Sequence, residues 1–347
     1  MTAPDPAAIR AAMEEKDTLR PRDLAMTLGI SEGQLVAATV GFGARRIIAD
    51  PDRLIAGVCE LGEVMALTRN ESAVHERTGV YQDWHPGTHA AMVLGDEIDL
   101  RIFPKHWVHG FATRREDGAK GPSRSLQVFD AHGEAVHKIY PRDGTDLAAW
   151  DRLVDALATG ETSDEVSVTP PPPPEGARIV PEKADLLRRE WQRMTDTHQF
   201  LRLVAKFKMN RLGAYRLAGL PFVQRLGTKA VDDVLHAVAR KGVPIMLFVG
   251  NRGCIQIHSG PIETLKPMGP WQNVLDPRFN LHLRLDHIAE AWLVQKPTKR
   301  GMALSVEAFD AEGQLILQIF GMRKEGADYS AAFAEVAETL PVLEAAE

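Results

Sequence analysis

The chain has 347 residues, of which 44% are hydrophobic and 25% charged, the composition of an ordinary globular protein. At about 100–200 residues per domain, this length predicts two domains or one domain built twice. With no run of about 18 apolar residues and no apolar core in the first twenty, we expect neither a membrane span nor a secretory leader. Cys59 and Cys254 stand far apart, which disfavours a disulfide scaffold or a Cys-x-x-Cys-His cofactor attachment and fits the cytoplasm.

Charge is distributed unevenly along the chain. Residues 1–180 carry 19 basic and 28 acidic side chains, whereas residues 181–347 carry 22 and 19. The segment 183–211 alone has 8 basic and 3 acidic residues. This pattern indicates either a local site for an anion or a solvated, charged helix face.

The first predicted elements are two helices in residues 20–40. Ala25, Gly29 and Leu35 stand where a helix-turn-helix unit has its small residue, turn glycine and apolar residue of the second helix. The alternative is a helix pair in the core, with Ser31 capping the second helix. The acidic surroundings would repel phosphate, so we expect no stable binding of nucleic acid.

The next elements are strands, and the chain contains them twice. Shifting the first half by 181 residues aligns GEVMALTRNESAV with VPIMLFVGNRGCI, and after a slip of one residue SLQVFDAHGEAVHKIY aligns with SVEAFDAEGQLILQIF. Short apolar or alternating runs flank the turns DAHGE and DAEGQ, as in hairpins. The sequence therefore predicts an α+β fold with an internal duplication, in which each half has a large antiparallel sheet flanked by helices.

A proline-rich stretch separates the two halves. Five consecutive prolines at 170–174 exclude a helix or a central strand and favour an extended spacer. We therefore predict a first half at residues 1–160, a linker at 161–182 and a second half at 183–347.

The second half opens with a predicted helix that contains a histidine. Leu187, Trp191, Met194, His198 and Leu201 recur at spacings of four and three, and Ala205 continues the series, which predicts one face of a long helix. In such a stripe His198 is either a buried histidine bonded to a backbone carbonyl or an axial ligand to iron in a flat apolar cofactor. Haem also has two propionates, and the basic residues of the same segment, which ends at Arg211, could bind them.

Other residues suggest weaker candidate sites. His85, His89, His106 and His109 fall within 25 residues but lack the fixed spacing of a metal site, so surface or structural roles are favoured. Cys254 has no partner nearby and is typical of a small core residue. No Gly-x-Ser-x-Gly elbow, His-Glu-x-x-His helix or P-loop is present.

Three stretches carry a resemblance to a known family. WQRMTDTHQF, RFNLHLRLDHIAEAWLVQKPT and FDAEGQLILQIFGMRKEG resemble the bacterial haem-utilisation proteins of the HemS/ChuS/HmuS type, and the likeness extends over residues 20–345. These are cytoplasmic proteins that degrade haem or carry it. The duplicated organisation and the central linker are similar to that family too.

The resemblance implies a set of site residues for a non-covalent haem b. His198 stands at the position of the family's iron ligand, and Arg101 at that of an arginine over the opposite, distal face, with Phe103 beside it. Basic positions of the family's haem pocket correspond to Arg211, Lys296 and Arg323. Gln318 belongs to the same Gln-x-aromatic-Gly-x-Arg stretch as Arg323. Phe320 stands where relatives commonly have tyrosine, so a hydrogen bond made there by relatives is lost in this chain.

Two functions are compatible with these residues. The first is enzymatic: haem bound through His198, with Arg101 stabilising the ligand on the iron, is opened with electrons from an unidentified donor and releases its iron. The second is a cytosolic carrier that delivers haem to a separate haem oxygenase. An inner-membrane haem transporter is a further expected partner. The residues predict one haem site, because the first half lacks the histidine helix.

Overall fold

The structure, a computed structural model, describes residues 5–115 and 123–343. The chain folds into two compact units. Unit 1 comprises Met1–Arg69, His75–Pro172 and Gly250–Gln256, and unit 2 comprises Asn70–Val74, Pro173–Val249 and Ile257–Glu347. The chain passes from the main segment of unit 1 to the main segment of unit 2 after Pro172, within the five-proline run. None of the described helices combines the length and apolarity needed to cross a membrane.

Unit 1 consists of an antiparallel sheet with helices before, within and after it. Its neighbouring strands follow the order β1-β7-β8-β9-β2-β3, and β4, β5 and β6 pair in sequence. The elements are α1 (Pro6–Glu15), α2 (Pro21–Leu28), α3 (Glu32–Ala37), β1 (Ala44–Ile47), α4 (Pro51–Val58), β2 (Gly62–Arg69), β3 (Ala73–Val80), β4 (Trp84–His85), β5 (Ala91–Leu94), β6 (Asp99–Ile102), β7 (His109–Arg115), β8 (Ser123–Phe129), β9 (Ala135–Thr145) and α5 (Leu147–Leu157).

Unit 2 repeats this plan; β3 begins with two residues of unit 2, and the strand Cys254–Gly260 begins with three residues of unit 1. Its strands follow the order β10-β16-β17-β18-β11-β12, and β13, β14 and β15 pair in sequence. The elements are α6 (Ala184–Gln192), α7 (Gln199–Lys206), α8 (Arg211–Ala218), β10 (Val223–Leu226), α9 (Ala230–Lys241), β11 (Ile245–Gly250), β12 (Cys254–Gly260), β13 (Leu265–Met268), β14 (Trp271–Leu275), β15 (Phe279–Arg284), β16 (Glu290–Thr298), β17 (Gly301–Phe309), β18 (Leu315–Gly321), β19 (Arg323–Lys324), β20 (Ala327–Asp328) and α10 (Ser330–Ala337).

The predicted duplication is confirmed, and the turns show the reason for the repeated residues. Asp130 and Asp310 each accept hydrogen bonds from the amides two and four residues further on, which closes the turn after β8 and after β17. Gly133 and Gly313 follow with φ of 75° and 80°, a backbone conformation that favours glycine. The α+β fold with antiparallel sheets flanked by helices is as expected.

The helix pair of residues 20–40 is part of the core of unit 1. Gly29 ends α2 with φ of 67°, and Ser31 caps α3 in a capping box with Gln34. Five of the six residues of α3 are buried, so this helix presents no face that could enter a DNA groove. The structure therefore agrees with the interpretation as a packed helix pair.

The prediction of one long helix through His198 is wrong. Helix α6 ends at Gln192, α7 begins at Gln199, and the chain between them is not helical. Leu187, Trp191 and Met194 are buried as expected, whereas His198 and Leu201 are exposed. The physical reason lies in side-chain bonds to the local backbone, which compete with the helix: Asp196 accepts from the His198 N–H and Gln199 from the Thr195 N–H.

Candidate functional site

The residues of the Thr-Asp-x-His-Gln-Phe motif build a tight connection between α6 and α7. The side-chain amide of Gln199 accepts through Oε1 from the Thr195 backbone N–H at 2.9 Å. It donates through Nε2 to the Thr195 hydroxyl at 3.2 Å. The Thr195 carbonyl accepts from the Lys299 N–H at 2.9 Å, which ties the connection to the turn after β16. The bonds of Thr195 and Gln199, which flank His198 in the motif, therefore fix its position.

Asp196 orients the imidazole of His198. Its Oδ1 accepts from the His198 backbone N–H at 2.8 Å and lies 2.7 Å from the ring Nδ1. The bond from the His198 backbone, followed by that from the ring, lowers the pKa of Asp196. A proton on Nδ1 leaves Nε2 with a free lone pair, and histidines that bind metal commonly have their other nitrogen bonded to a carboxylate in this way.

The surroundings of His198 are open and partly apolar. The His198 side chain is 85% exposed, and its Nε2 has no partner among the described residues of the chain. Leu201, one helical turn along α7, is 55% exposed, and Ala205 continues the same exposed face. The unpaired imidazole nitrogen can bind a metal, and the exposed apolar side chains beside it can contact an apolar group. Together they form a surface suited to a flat, apolar ligand that contains a metal.

Beneath this surface lies a cluster of aromatic rings in unit 2. The Phe200 ring lies 4.6 Å from that of Trp191 and 5.5 Å from that of Tyr215, measured between centroids. All three side chains are almost completely buried, and Trp191 donates to the Gln295 carbonyl at 2.9 Å. Because Phe200 lies two residues after His198, this packing holds the start of α7 rigidly.

The same aromatic rings cover a buried ion network centred on Glu307. One oxygen of its carboxylate accepts from Lys296 Nζ at 2.7 Å and Ser305 at 2.9 Å. The other accepts from Arg211 Nη1 at 2.9 Å and Tyr215 at 2.8 Å. Two cations thus share one carboxylate, and the network keeps a net charge of +1 close beneath Phe200.

Burial and charge act against each other in this network. Burial alone would raise the pKa of Glu307, but the charges of Lys296 and Arg211 outweigh it and lower the pKa to about 2. Burial outweighs the attraction of Glu307 for Lys296 and lowers the pKa of that ammonium to about 8. At neutral pH all three groups are charged.

The structure therefore brings Arg211 and Lys296 together, but around a carboxylate of the protein. Arg323 is likewise engaged, since it donates to Asp328 at 2.7 Å and to the Arg300 carbonyl at 2.6 Å. Gln318 is half-buried on β18, directly across the strand pair from Glu307. A propionate at these positions would compete with existing partners or add to them.

Arg101 and Phe103 belong to unit 1. Arg101 lies on β6, where it forms an ion pair with Asp99 and donates to the Leu100 carbonyl at 3.0 Å. Its side chain is still 30% exposed. Phe103 follows β6, and its backbone N–H donates to the Gly253 carbonyl at 3.0 Å.

The other histidines form no metal site in the parts of the chain that the structure describes, where no group of three or more histidine, cysteine or acidic side chains converges. His85 pairs with Asp83 at 2.9 Å. Burial lowers the pKa of His106 and of His109. Cys254 is completely buried, and burial raises the pKa of its thiol to about 12, as suits a core residue.

Sequence reasoning missed Asp196, Tyr215 and Glu307. Asp196 was detectable, because an acidic residue two positions before a histidine can bond to its amide and its ring. Glu307 was detectable as a charge at an inward position of the alternating strand Ser305-Val306-Glu307-Ala308-Phe309. Nothing in the sequence indicated that Tyr215 would meet it.

Known proteins are similar to this chain in sequence and in fold. Residues 29–157 and 208–340 each match the profile of the family described as the haemin-degrading HemS.ChuX domain. The hemin transport protein HmuS of Yersinia pestis is 39% identical over 306 residues, which is 88% of either chain.

Two solved structures are similar over almost the whole chain. The heme-binding protein PhuS of Pseudomonas aeruginosa, in its holo form, is 42% identical with a TM-score of 0.92, and the match covers 98% of this chain and 100% of PhuS. The heme-degrading enzyme ChuS of Escherichia coli O157:H7 is 34% identical with a TM-score of 0.86, and the match covers 95% and 96%.

Proposed function

The chain belongs to the haemin-degrading HemS/ChuX family, and on this premise we propose that it binds haem b non-covalently through His198 in the cytoplasm, for the recovery of iron from haem. The observation that supports the proposal is the geometry at the start of α7. Asp196 holds the Nδ1 of His198, and the exposed Nε2 is free to bind iron.

The residues around His198 supply the other contacts that haem needs. The exposed side chain of Leu201 offers apolar surface to the macrocycle. The net positive charge of the network around Glu307 attracts propionates without a direct bond. Arg323 donates to Asp328 through Nε and to a carbonyl through Nη2, and we propose that its Nη1, which neither bond uses, contacts a propionate directly.

Binding is tested by titration of the full chain with haem, followed by the Soret band. We expect saturation at one haem per chain, and His198→Ala should shift the band and weaken binding by at least 10-fold. His236→Ala is the matched control, because His236 is another exposed histidine of unit 2 whose Nδ1 lies close to a carboxylate, 3.2 Å from that of Asp232. An unchanged spectrum and affinity in His198→Ala would place the iron ligand elsewhere.

The finer proposal is that the chain degrades the bound haem. It requires molecular oxygen and a reductant, with electrons from a donor outside the chain. The haem complex is mixed with a physiological reductant under air with catalase present, because free peroxide destroys haem without an enzyme. Loss of the Soret band with release of iron and a tetrapyrrole supports degradation. An intact Soret band would refute it.

A carrier that passes haem to a separate haem oxygenase is the second candidate. The high exposure of His198 favours it, because a ligand bound to an exposed imidazole can leave without an opening of the protein. The same mixture distinguishes the two functions when a haem oxygenase is added to the inert complex. Rapid transfer of haem then supports the carrier.

Arg101 is proposed to donate a hydrogen bond to the distal ligand of the haem iron. Because the ion pair with Asp99 leaves its side chain partly exposed, we expect Arg101→Met to alter the rate of turnover or transfer more than the affinity for haem. Arg45→Met, which removes an exposed arginine paired with Asp155 in the same unit, is the control. Equal effects of the two variants would exclude a distal role.

A further inference from the structure

Unit 1 contains a cavity of about 340 Å³ that the proposed function does not use. Its volume lies within the range of small-molecule sites, about 300–1,000 Å³. One wall consists of apolar side chains from the helices and the loop after them: Met13, Pro21, Leu35, Val36 and Phe42. The opposite wall is the sheet face with Thr113, Ser125, Gln127, Lys138 and Tyr140.

Strand register relates this sheet face to the ion network of unit 2. The pair Gln127–Lys138 in unit 1 corresponds to Glu307–Gln318 in unit 2, as Thr113–Ser125 corresponds to Val294–Ser305. Gln127 therefore stands where unit 2 has its central carboxylate. In unit 2 that carboxylate neutralises two cations, whereas the amide in unit 1 carries no charge.

Gln127 leaves a polar atom unpaired in the cavity wall. Its side chain is 9% exposed, and Nε2 donates to the Ser125 hydroxyl at 2.8 Å, which in turn lies 2.6 Å from that of Thr113. Its Oε1 is buried and bonds to nothing in the described part of the chain. A buried acceptor without a donor is destabilising, so it favours an occupant that brings an N–H or O–H group.

Cations surround the mouth of the cavity. Arg10, Arg115 and Arg124 belong to the described lining, together with one acidic residue, Glu14, whereas Lys138 is buried in an ion pair with Glu32. Within the part of the chain that the structure describes, Arg10 donates through Nη1 to Asp164 and to the Ala38 carbonyl, and Arg124 donates through Nη1 to Asp151, which leaves further guanidinium N–H groups. Phe42 lies at the cavity with 67% of its surface exposed. The mouth is thus suited to an anion attached to an apolar body.

The lining does not provide a good ligand for iron. None of the described residues that line the cavity is a histidine or a cysteine. Burial raises the pKa of Tyr140, so its phenol stays protonated and is a poor metal ligand. The chemistry of this cavity therefore differs from that at His198.

We propose that the cavity of unit 1 binds a metal-free amphipathic carboxylate that carries an N–H or O–H donor on its apolar body. The carboxylate meets the arginines at the mouth, the apolar body packs against Leu35 and Phe42, and the donor bonds to Gln127 Oε1. Two sources have this chemistry: an open-chain tetrapyrrole, as haem cleavage would produce, and a hydroxylated fatty acid. Only the first source rests on the proposed function.

The test is calorimetric titration of the full chain with biliverdin in one arm and 12-hydroxydodecanoate in the other. We expect saturable binding of at least one of them at one per chain, with dodecan-1-ol, which lacks the carboxylate, at least 10-fold weaker. Arg115→Gln should weaken the carboxylate about 3–10-fold, since Arg115 is exposed and its loss leaves the fold intact. Arg45→Gln, outside the cavity, should have no effect.

Gln127→Met is the sharper variant, because it keeps the length of the side chain but removes the Oε1 acceptor that the donor of the ligand would meet. It should weaken 12-hydroxydodecanoate about 3–10-fold and leave dodecanoate, which lacks the hydroxyl, unchanged. His198→Ala should leave this binding unchanged, so the cavity can be confirmed even where haem binding fails. The inference is overturned if neither ligand saturates, if dodecan-1-ol binds equally well, or if His198→Ala abolishes binding.

Discussion

The ion network around Glu307 allows a quantitative prediction. Glu307→Gln keeps the shape of the side chain but removes the only negative charge that Arg211 and Lys296 share within this network. The carboxyl pKa falls from 4.5 to about 2 in the fold. At 1.36 kcal/mol per pKa unit, the fold favours the ionised form by about 3 kcal/mol. Breaking a buried pair and leaving its charges uncompensated costs about 3–5 kcal/mol, so we expect a destabilisation in this range.

The assay is urea unfolding followed by tryptophan fluorescence, since Trp191 packs against Tyr215 of the network. With an m-value of about 2 kcal/mol/M, the unfolding midpoint should fall by about 1.5–2.5 M. Lys296→Met is the matched control: it leaves the pair of Arg211 and Glu307 intact and removes an ammonium that burial already disfavours, so it should cost clearly less. A shift below about 0.5 M for Glu307→Gln, or equal shifts in both variants, would refute the reasoning.

The same residue predicts a dependence on pH. The folded pKa of Glu307 is about 2 and lies below its ordinary value of 4.5, so between these values the unfolded chain binds more protons. The contribution of Glu307 is therefore complete above pH 4.5 and is lost as the pH falls towards 2. Over that window wild-type protein should lose stability more steeply than Glu307→Gln.

Three further predictions concern other sites. Asp196→Ala frees the His198 ring to rotate and should lower the affinity for haem about 10–100-fold in a Soret titration, whereas Asp233→Ala on α9 should not. His137 is completely buried, which lowers its pKa to about 3, so its ring should not titrate between pH 8 and 5 by NMR, and acid should destabilise the fold below pH 6.5. Gly213→Ala places a Cβ 1.8 Å from the Arg178 carbonyl oxygen and should reduce soluble expression or the unfolding midpoint far more than Gly227→Ala, where a Cβ meets nothing within 4 Å.

The fold could be predicted from the sequence because the duplication repeats residues with strict backbone roles. Asp130 and Asp310 close equivalent turns, and their glycines adopt positive φ, so both copies had to keep these residues. An offset that brings such residues into register is a signal of fold, independent of any propensity. The pairing order of the strands, by contrast, depends on long-range contacts that no local pattern encodes.

The candidate site could be predicted only in part, because two periodicities overlap in residues 187–207. The spacing of Leu187, Trp191 and Met194 continues to His198. The buried residues of α7, however, are Phe200, Leu203 and Val204. Spacing alone cannot show that the helix is interrupted and resumes with another face inward. The local bonds of Asp196 and Gln199 decide this, together with one tertiary bond, from the Lys299 N–H to the Thr195 carbonyl.

The connection at residues 195–199 has a kinetic consequence. Because Asp196 already holds the imidazole of His198 and the ring already faces solvent, its ordering takes place when the protein folds and not when a ligand arrives. Capture then needs no preceding conformational step, so the association rate should follow diffusion and orientation alone. Differences in affinity produced by substitutions around α7 should accordingly appear in the lifetime of the complex.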